Sequence, residues 1–138
     1  MTTSNSWTSG KLRELDHSEC LELLDTRSVG RVAFCAEDGP VVLPVNYVVH
    51  EGDVLFRTSP HNSIARHVNN RPAAFQVDEI DDFTQSGWSV LVRGKAELVE
   101  DIHDLPRDLR PVPWAEGTRS LFVRVRGLSI TGRRLYPT

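Results

Sequence analysis

Arg57, Thr58 and Ser59 stand where an apolar run ends and a helical pattern begins, followed by Pro60, His61, Asn62 and Ser63. A strand running into a helix start collects hydrogen-bond donors. The first helical N–H groups lack partners within the helix and carry positive potential, hydroxyls add donors, and a guanidinium offers a planar fork matching phosphate oxygens. The chemistry this allows is the holding of a phosphate or a similar anion. The same residues also suit a structural role, with Ser59 or Asn62 capping the helix and Arg57 solvated at a strand end. Two other segments carry unusual residues. Val42-Leu43-Pro44-Val45-Asn46-Tyr47 puts a proline and an asparagine into an apolar β run. Proline donates no ladder hydrogen bond, so Leu43 to Val45 is expected at an edge or bulge, either open to a ligand or protected against edge pairing. Gly87 to Gly94 contains Trp88, Ser89 and Arg93. Trp88 either stacks on a ligand or packs in a core or between subunits, and Arg93, if buried, needs an anionic partner.

No segment supplies a competing catalytic apparatus. The chain has no Gly-rich dinucleotide fingerprint, no P-loop, no GxSxG and no HExxH. The histidines at 17, 50, 61, 67 and 103 are scattered, and His61 and His67 are six residues apart, off one helical face, so no metal site is expected. Cys20 and Cys35 lack metal spacing and read as buried free thiols. No catalytic base is assigned.

The elements that must position these residues follow from pattern. At 138 residues, 39% hydrophobic and 25% charged, the chain has the size and balance of one globular domain. No apolar run reaches the roughly 18 residues of a spanning helix, so neither membrane insertion nor secretion is expected and the cytoplasm is the expected location. A net charge of −3 argues against nucleic acid as a partner. Only two of the sixteen basic residues are lysines, a skew that suits bidentate anion contacts or reflects coding bias alone.

Residues 1–15 read as a loose, flexible arm and 16–138 as the domain. Asp16 and Glu19 have capping-box spacing before a helix over His17 to Asp25. Gly30 to Ala36, Val41 to His50 and Val54 to Arg57 read as a three-strand meander joined by Glu37-Asp38-Gly39-Pro40 and Glu51-Gly52-Asp53. A short helix around Ile64, Ala65 and Val68 follows, then strands over Ala73 to Asp78 and Trp88 to Val99, a short helix over Asp101 to Arg110, and strands over Leu121 to Arg126 and Leu128 to Leu135. This is a mainly β chain with short helices. Six or seven antiparallel strands suggest a Greek-key or split barrel, since closure removes exposed edges.

The sequence resembles the pyridoxamine 5'-phosphate oxidase-like superfamily, and within it small actinobacterial flavin-binding members related to nitroimidazole-resistance proteins. The resemblance rests on the order of Glu19 to Leu24, Val29 to Phe34, Leu43 to Tyr47, Phe56 to Ser59, Ala74 to Asp78 and Gly87 to Gly94. It implies a six-stranded antiparallel split β-barrel that forms a homodimer with FMN in a groove between the copies. Pro44, Val45 and Asn46 would line the flavin ring, and Arg57, Thr58 and Ser59, with His61, Asn62 and Ser63 in the same turn, would face the ribityl phosphate. Trp88, Ser89 and Arg93 would lie near that groove, contributed by the same or the second subunit. Ser63 stands where relatives often carry a phosphate-binding lysine, and Arg66, one turn further on, could replace that charge. The implied function is an oxidoreductase passing hydride or electrons from NADPH or NADH through flavin to a small acceptor. The alternatives are the same barrel holding a deazaflavin coenzyme or haem, and a flavin carrier or sensor without turnover. Pyridoxamine phosphate oxidation itself is disfavoured, because only Arg133 and Arg134 stand near a basic substrate-binding end.

Overall fold

The computed structural model describes residues 11–59, 63–109 and 121–137. Eight antiparallel strands and two short helices make up these parts: β1 (Lys11–Glu14), α1 (His17–Leu24), β2 (Val29–Ala36), β3 (Gly39–His50), β4 (Asp53–Thr58), α2 (Ser63–His67), β5 (Arg71–Asp81), β6 (Ser86–Val99), β7 (Leu121–Val125) and β8 (Ser129–Tyr136).

The N-terminal signal is realised as read. The Asp16 carboxylate accepts from the Glu19 backbone N–H, and the Glu19 carboxylate from that of Asp16, so two donors with no helical partner are satisfied. The helix buries Cys20 and Leu24. Residues 11–14, which sequence reading assigns to a loose arm, form a strand antiparallel to β8. Their side chains are all exposed, so no alternating apolar signal marks them. Arg13 holds the strand by a two-pronged contact with Glu19, at 3.2 and 2.9 Å, and a 3.1 Å hydrogen bond to the Tyr136 hydroxyl.

Strands β2, β3 and β4 form the expected meander, and β5 returns beside β2. That is the Greek-key order. The ring β6-β5-β2-β3-β4-β7 then closes because β6 pairs with β7 as well as β5. Over Gly87–Arg93 the same long strand pairs instead with β8, and over Ala96–Val99 with β7, so the sheet splits along β6. Gly94 lies at the changeover, where a Cβ would come 1.7 Å from the Arg126 carbonyl oxygen.

Alternation sorts the side chains. Val32 and Phe34 of β2, Phe56 of β4, Phe75 and Val77 of β5, Trp88, Val90 and Val92 of β6, and Val123 and Val125 of β7 meet in the barrel interior. Leu55, Phe122 and Leu105 form a second cluster outside it. The helix expected over Asp101 to Arg110 is two 3-10 turns, Ile102–Asp104 and Arg107–Leu109. Pro106 between them has no N–H to donate and drives the preceding residue out of helical geometry. Cys20 is buried as expected; Cys35 is exposed, because β2 turns it to the outer face with Arg31.

Candidate functional site

The decisive local event is the parting of β3 from β4. β3 pairs with β2 from Gly39 to Asn46, but with β4 only from Tyr47 to His50. Although β3 is central in strand order, Leu43 to Val45 therefore has a ladder on one side only, which is what Pro44 demands. Its side chains alternate as a strand requires: Pro44 and Asn46 are exposed, while Val45 packs against the barrel core and can offer a ligand only its backbone.

Where the strands part lies a groove of about 440 Å³, lined by Asn46, Tyr47, Val48, Leu55, Phe56, Arg57 and Phe122. The exposed Arg57 lies over the Phe122 ring, 5.4 Å from its centroid. Among the described residues no carboxylate pairs with it. A guanidinium held by an aromatic face and left without a counter-ion is open to an anion.

Thr58 faces the other way. Leu55 and Arg57 share the outer face of β4, and Phe56 and Thr58 the inner one. From the strand itself, the two side chains therefore cannot meet one phosphate together. Thr58 is 7% exposed, and its hydroxyl has no hydrogen-bond partner among the described residues. Ser59 is exposed just beyond the strand, and His61 and Asn62 lie outside the described residues. Ser63 opens α2, its hydroxyl 3.5 Å from His67 Nδ1, and Arg66 is exposed on the same turn.

Tyr47 anchors the groove from behind. Its hydroxyl donates to the Leu24 carbonyl oxygen, joining β3 to the end of α1, and its ring meets Phe75 edge-on at 4.7 Å. Burial, reinforced by the Asp25 carboxylate, pushes the phenol up to about 12. The group is thus a permanent donor at physiological pH, fixing the strand that carries Asn46.

Trp88 is buried in the core, so of its two readings packing is the one realised in this chain. Arg93 is exposed and needs no buried counter-ion. Ser89 lines a different cleft, of about 560 Å³, between Leu12 and Glu14 of β1, Gln76 of β5, Leu91 of β6 and Thr131 and Arg133 of β8. One chain therefore does not gather Arg57 and Ser89 into one pocket. The sheet does join their surroundings: the register runs from Pro44 to Arg31, Gln76, Leu91 and Thr131 in a single cross-strand row.

A family model described as pyridoxamine 5'-phosphate oxidase matches residues 16–134, which takes in the whole Arg57 groove. The chain belongs to the pyridoxamine 5'-phosphate oxidase-like family. An uncharacterised protein of Mycobacterium tuberculosis is 31% identical over 128 residues, covering 88% of this chain and 84% of that one. The FAD-binding protein of Mycobacterium smegmatis is 32% identical with a TM-score of 0.70, over 90% of this chain and 98% of that one. An FAD-binding protein of Mesorhizobium loti is 26% identical with a TM-score of 0.75, over 91% and 98%. Within this pyridoxamine 5'-phosphate oxidase-like chain, sequence reading missed Phe122 and Tyr47 as parts of the groove. Phe122 lies far along the chain from Arg57, and only the β4–β7 ladder brings them together. Among the described residues there is no metal-binding cluster, and no helix is long and apolar enough to cross a membrane.

Proposed function

We propose that the chain binds a flavin nucleotide between two copies of itself and, in the cytoplasm, serves an oxidoreductase that passes hydride or electrons from NADPH or NADH to a small acceptor. The observation that carries this reading is the Arg57 guanidinium, fixed on Phe122 and without a carboxylate partner among the described residues, beside Asn46 at the start of the free β3 edge.

The donor set fits a flavin in kind. Arg57 would hold phosphate oxygens with its fork, helped by Ser59, Ser63 and Arg66 around the start of α2. The backbone of Pro44, Val45 and Asn46 offers unladdered polar groups for the polar rim of the ring, and the Asn46 amide can donate or accept. Ser89 would enter from the second copy, because in one chain it lines another cleft, and the exposed Arg93 of the same strand would accompany it.

A bound flavin supplies the redox chemistry. The protein's residues bind, orient and exclude water: Tyr47 holds the strand that carries Asn46, and Val48, Leu55 and Phe122 give the groove an apolar wall. Sequence reading expects FMN, while the relatives at 32% and 26% identity are FAD-binding proteins, so the reading covers both nucleotides.

The test is reconstitution of purified protein with FMN, FAD, a deazaflavin coenzyme and haem in turn. Retained flavin absorbance through gel filtration supports the reading, and NADPH oxidation with a quinone or nitroaromatic then separates an enzyme from a carrier. Retention of haem or deazaflavin alone overturns it.

A further inference from the structure

On the outer face of the closing seam, β4, β7 and β6 set their side chains in adjacent cross-strand rows. Phe122 lies between Arg57 and Val99 in one row, and Arg124 between Leu55 and Glu97 in the next. The segment of the two 3-10 turns lies against these rows. Its Leu105, 4% exposed, packs with Leu55 and Phe122, and Val99 packs against the same cluster. Leu55 and Phe122 are also the apolar wall of the Arg57 groove, so the segment that carries Leu105 backs that wall.

Arg124 ties the segment down. Its Nη2 donates to the carbonyl oxygen of Asp104, the neighbour of Leu105 in the chain, at 3.0 Å. The guanidinium is set from the other side by Asp53, 3.8 Å from Nε, and Glu97, 3.6 Å from Nη1, and its side chain is only 14% exposed. Arg126 reaches the same carboxylates, Glu97 at 2.7 Å and Asp53 at 3.6 Å, and Asp53 also accepts the Gly127 N–H at 3.0 Å. The tighter ion pair to Glu97 therefore belongs to Arg126. What distinguishes Arg124 is its bond to the 3-10 segment. A leucine lodged behind an aromatic ring limits where the ring can turn. With Leu105 withdrawn, Phe122 would gain free volume on one side and would no longer hold a fixed face under the Arg57 guanidinium.

We propose that Arg124 is a positioning residue for the anion seat: its bond to the Asp104 carbonyl keeps Leu105 behind Phe122, and the ring so fixed keeps Arg57 at the groove. This rests on the reading of Arg57 as the holder of a flavin phosphate, and it adds the residues that aim it. Arg124 itself is not part of the groove lining.

The experiment records the Arg57 side-chain Nε–Hε resonance of flavin-free full chain by proton–nitrogen NMR, assigned by its loss in Arg57→Lys. The Phe122 ring current displaces this resonance from the position of a free arginine. Arg124→Met and Leu105→Ala are expected to return it towards that position. Arg126→Met, which cuts contacts to the same carboxylates but leaves the bond to Asp104, is expected to leave it as in wild type. A resonance unmoved in Arg124→Met and Leu105→Ala, or moved as far in Arg126→Met, overturns the proposal. Titrations with FMN, FAD and riboflavin then read the consequence at the groove. Arg124→Met is expected to bind the phosphorylated flavins roughly threefold to thirtyfold more weakly, and riboflavin, which lacks the phosphate, as wild type does. An equal loss for riboflavin, or no loss for FMN and FAD, overturns it too. Where Arg124→Met does not fold, Arg124→Lys replaces it, keeping the charge between the carboxylates without the fork that also reaches the carbonyl. A wild-type chain that binds no flavin removes the flavin reading alone, because the resonance still decides whether Arg124 positions Arg57.

Discussion

The Arg57 guanidinium lies 5.4 Å from the centroid of the Phe122 ring, and the two residues are direct partners across the β4–β7 ladder. The ring limits where the cation can go without neutralising it. Arg57→Ala is expected to weaken flavin binding by about 1.5–3 kcal/mol, the scale of a charge-assisted hydrogen bond. Arg57→Lys should recover part of that, since a lysine keeps the charge and loses the fork. Fluorescence titration with FMN and FAD checks both, and unchanged affinity in the alanine variant removes Arg57 from the site.

Thr58 buries a hydroxyl with no partner among the described residues. An unsatisfied buried polar group costs about 1–3 kcal/mol, and valine has nearly the same shape. Thr58→Val is therefore expected to stabilise flavin-free protein by roughly 1 kcal/mol in urea unfolding. A less stable variant would show that the hydroxyl is already satisfied.

Tyr47 links the groove to α1 through its hydrogen bond to the Leu24 carbonyl. Tyr47→Phe leaves that acceptor unpaired and should cost about 1 kcal/mol at neutral pH. The folded phenol titrates near 12 against an ordinary value of 10.0, so the native state holds its proton more tightly than the unfolded one. Its contribution is complete below about 10 and is lost as pH rises towards 12. Unfolding free energies measured across that window should fall less steeply in Tyr47→Phe than in wild type.

Gly94 sits where β6 leaves β8 for β7, with the Arg126 carbonyl oxygen 1.7 Å from where a Cβ would be. The obstacle is backbone, which cannot swing aside as a side-chain end would. Gly94→Ala is expected to destabilise the fold by about 3 kcal/mol or more, beyond ordinary overpacking because the closing ladder itself must shift. A melting temperature within a few degrees of wild type would show that the seam yields freely.

Much of this architecture is local, and therefore legible in the chain. Asp16 and Glu19 announce α1 because both halves of a capping box lie within four residues. The meander is legible because alternation and turn residues sit next to each other in sequence, and Pro44 marks a free edge because its missing N–H is a property of the residue itself. The weaker points are also local in origin: β1 is exposed at all four positions, Leu12 included, so no buried face marks it, and Pro106 divides a stretch whose composition otherwise suits a helix.

Which side chains share a site was a different kind of question, decided by closure. Sequence reading could group Arg57, Thr58 and Ser59 as neighbours, but strand alternation sends Thr58 inward and Arg57 outward. Phe122 reaches Arg57 only through a ladder between strands far apart in the chain. Likewise Trp88 could be read as a ligand platform or as core until β6 was wound into the barrel, and Ser89 fell on a cleft away from Arg57 because β6 divides its pairing between two partners. Residue type, proline chemistry and short-range periodicity were written in the chain itself. Facing and long-range pairing were not, because each depends on which strand lies alongside, and that is settled only when the whole sheet closes.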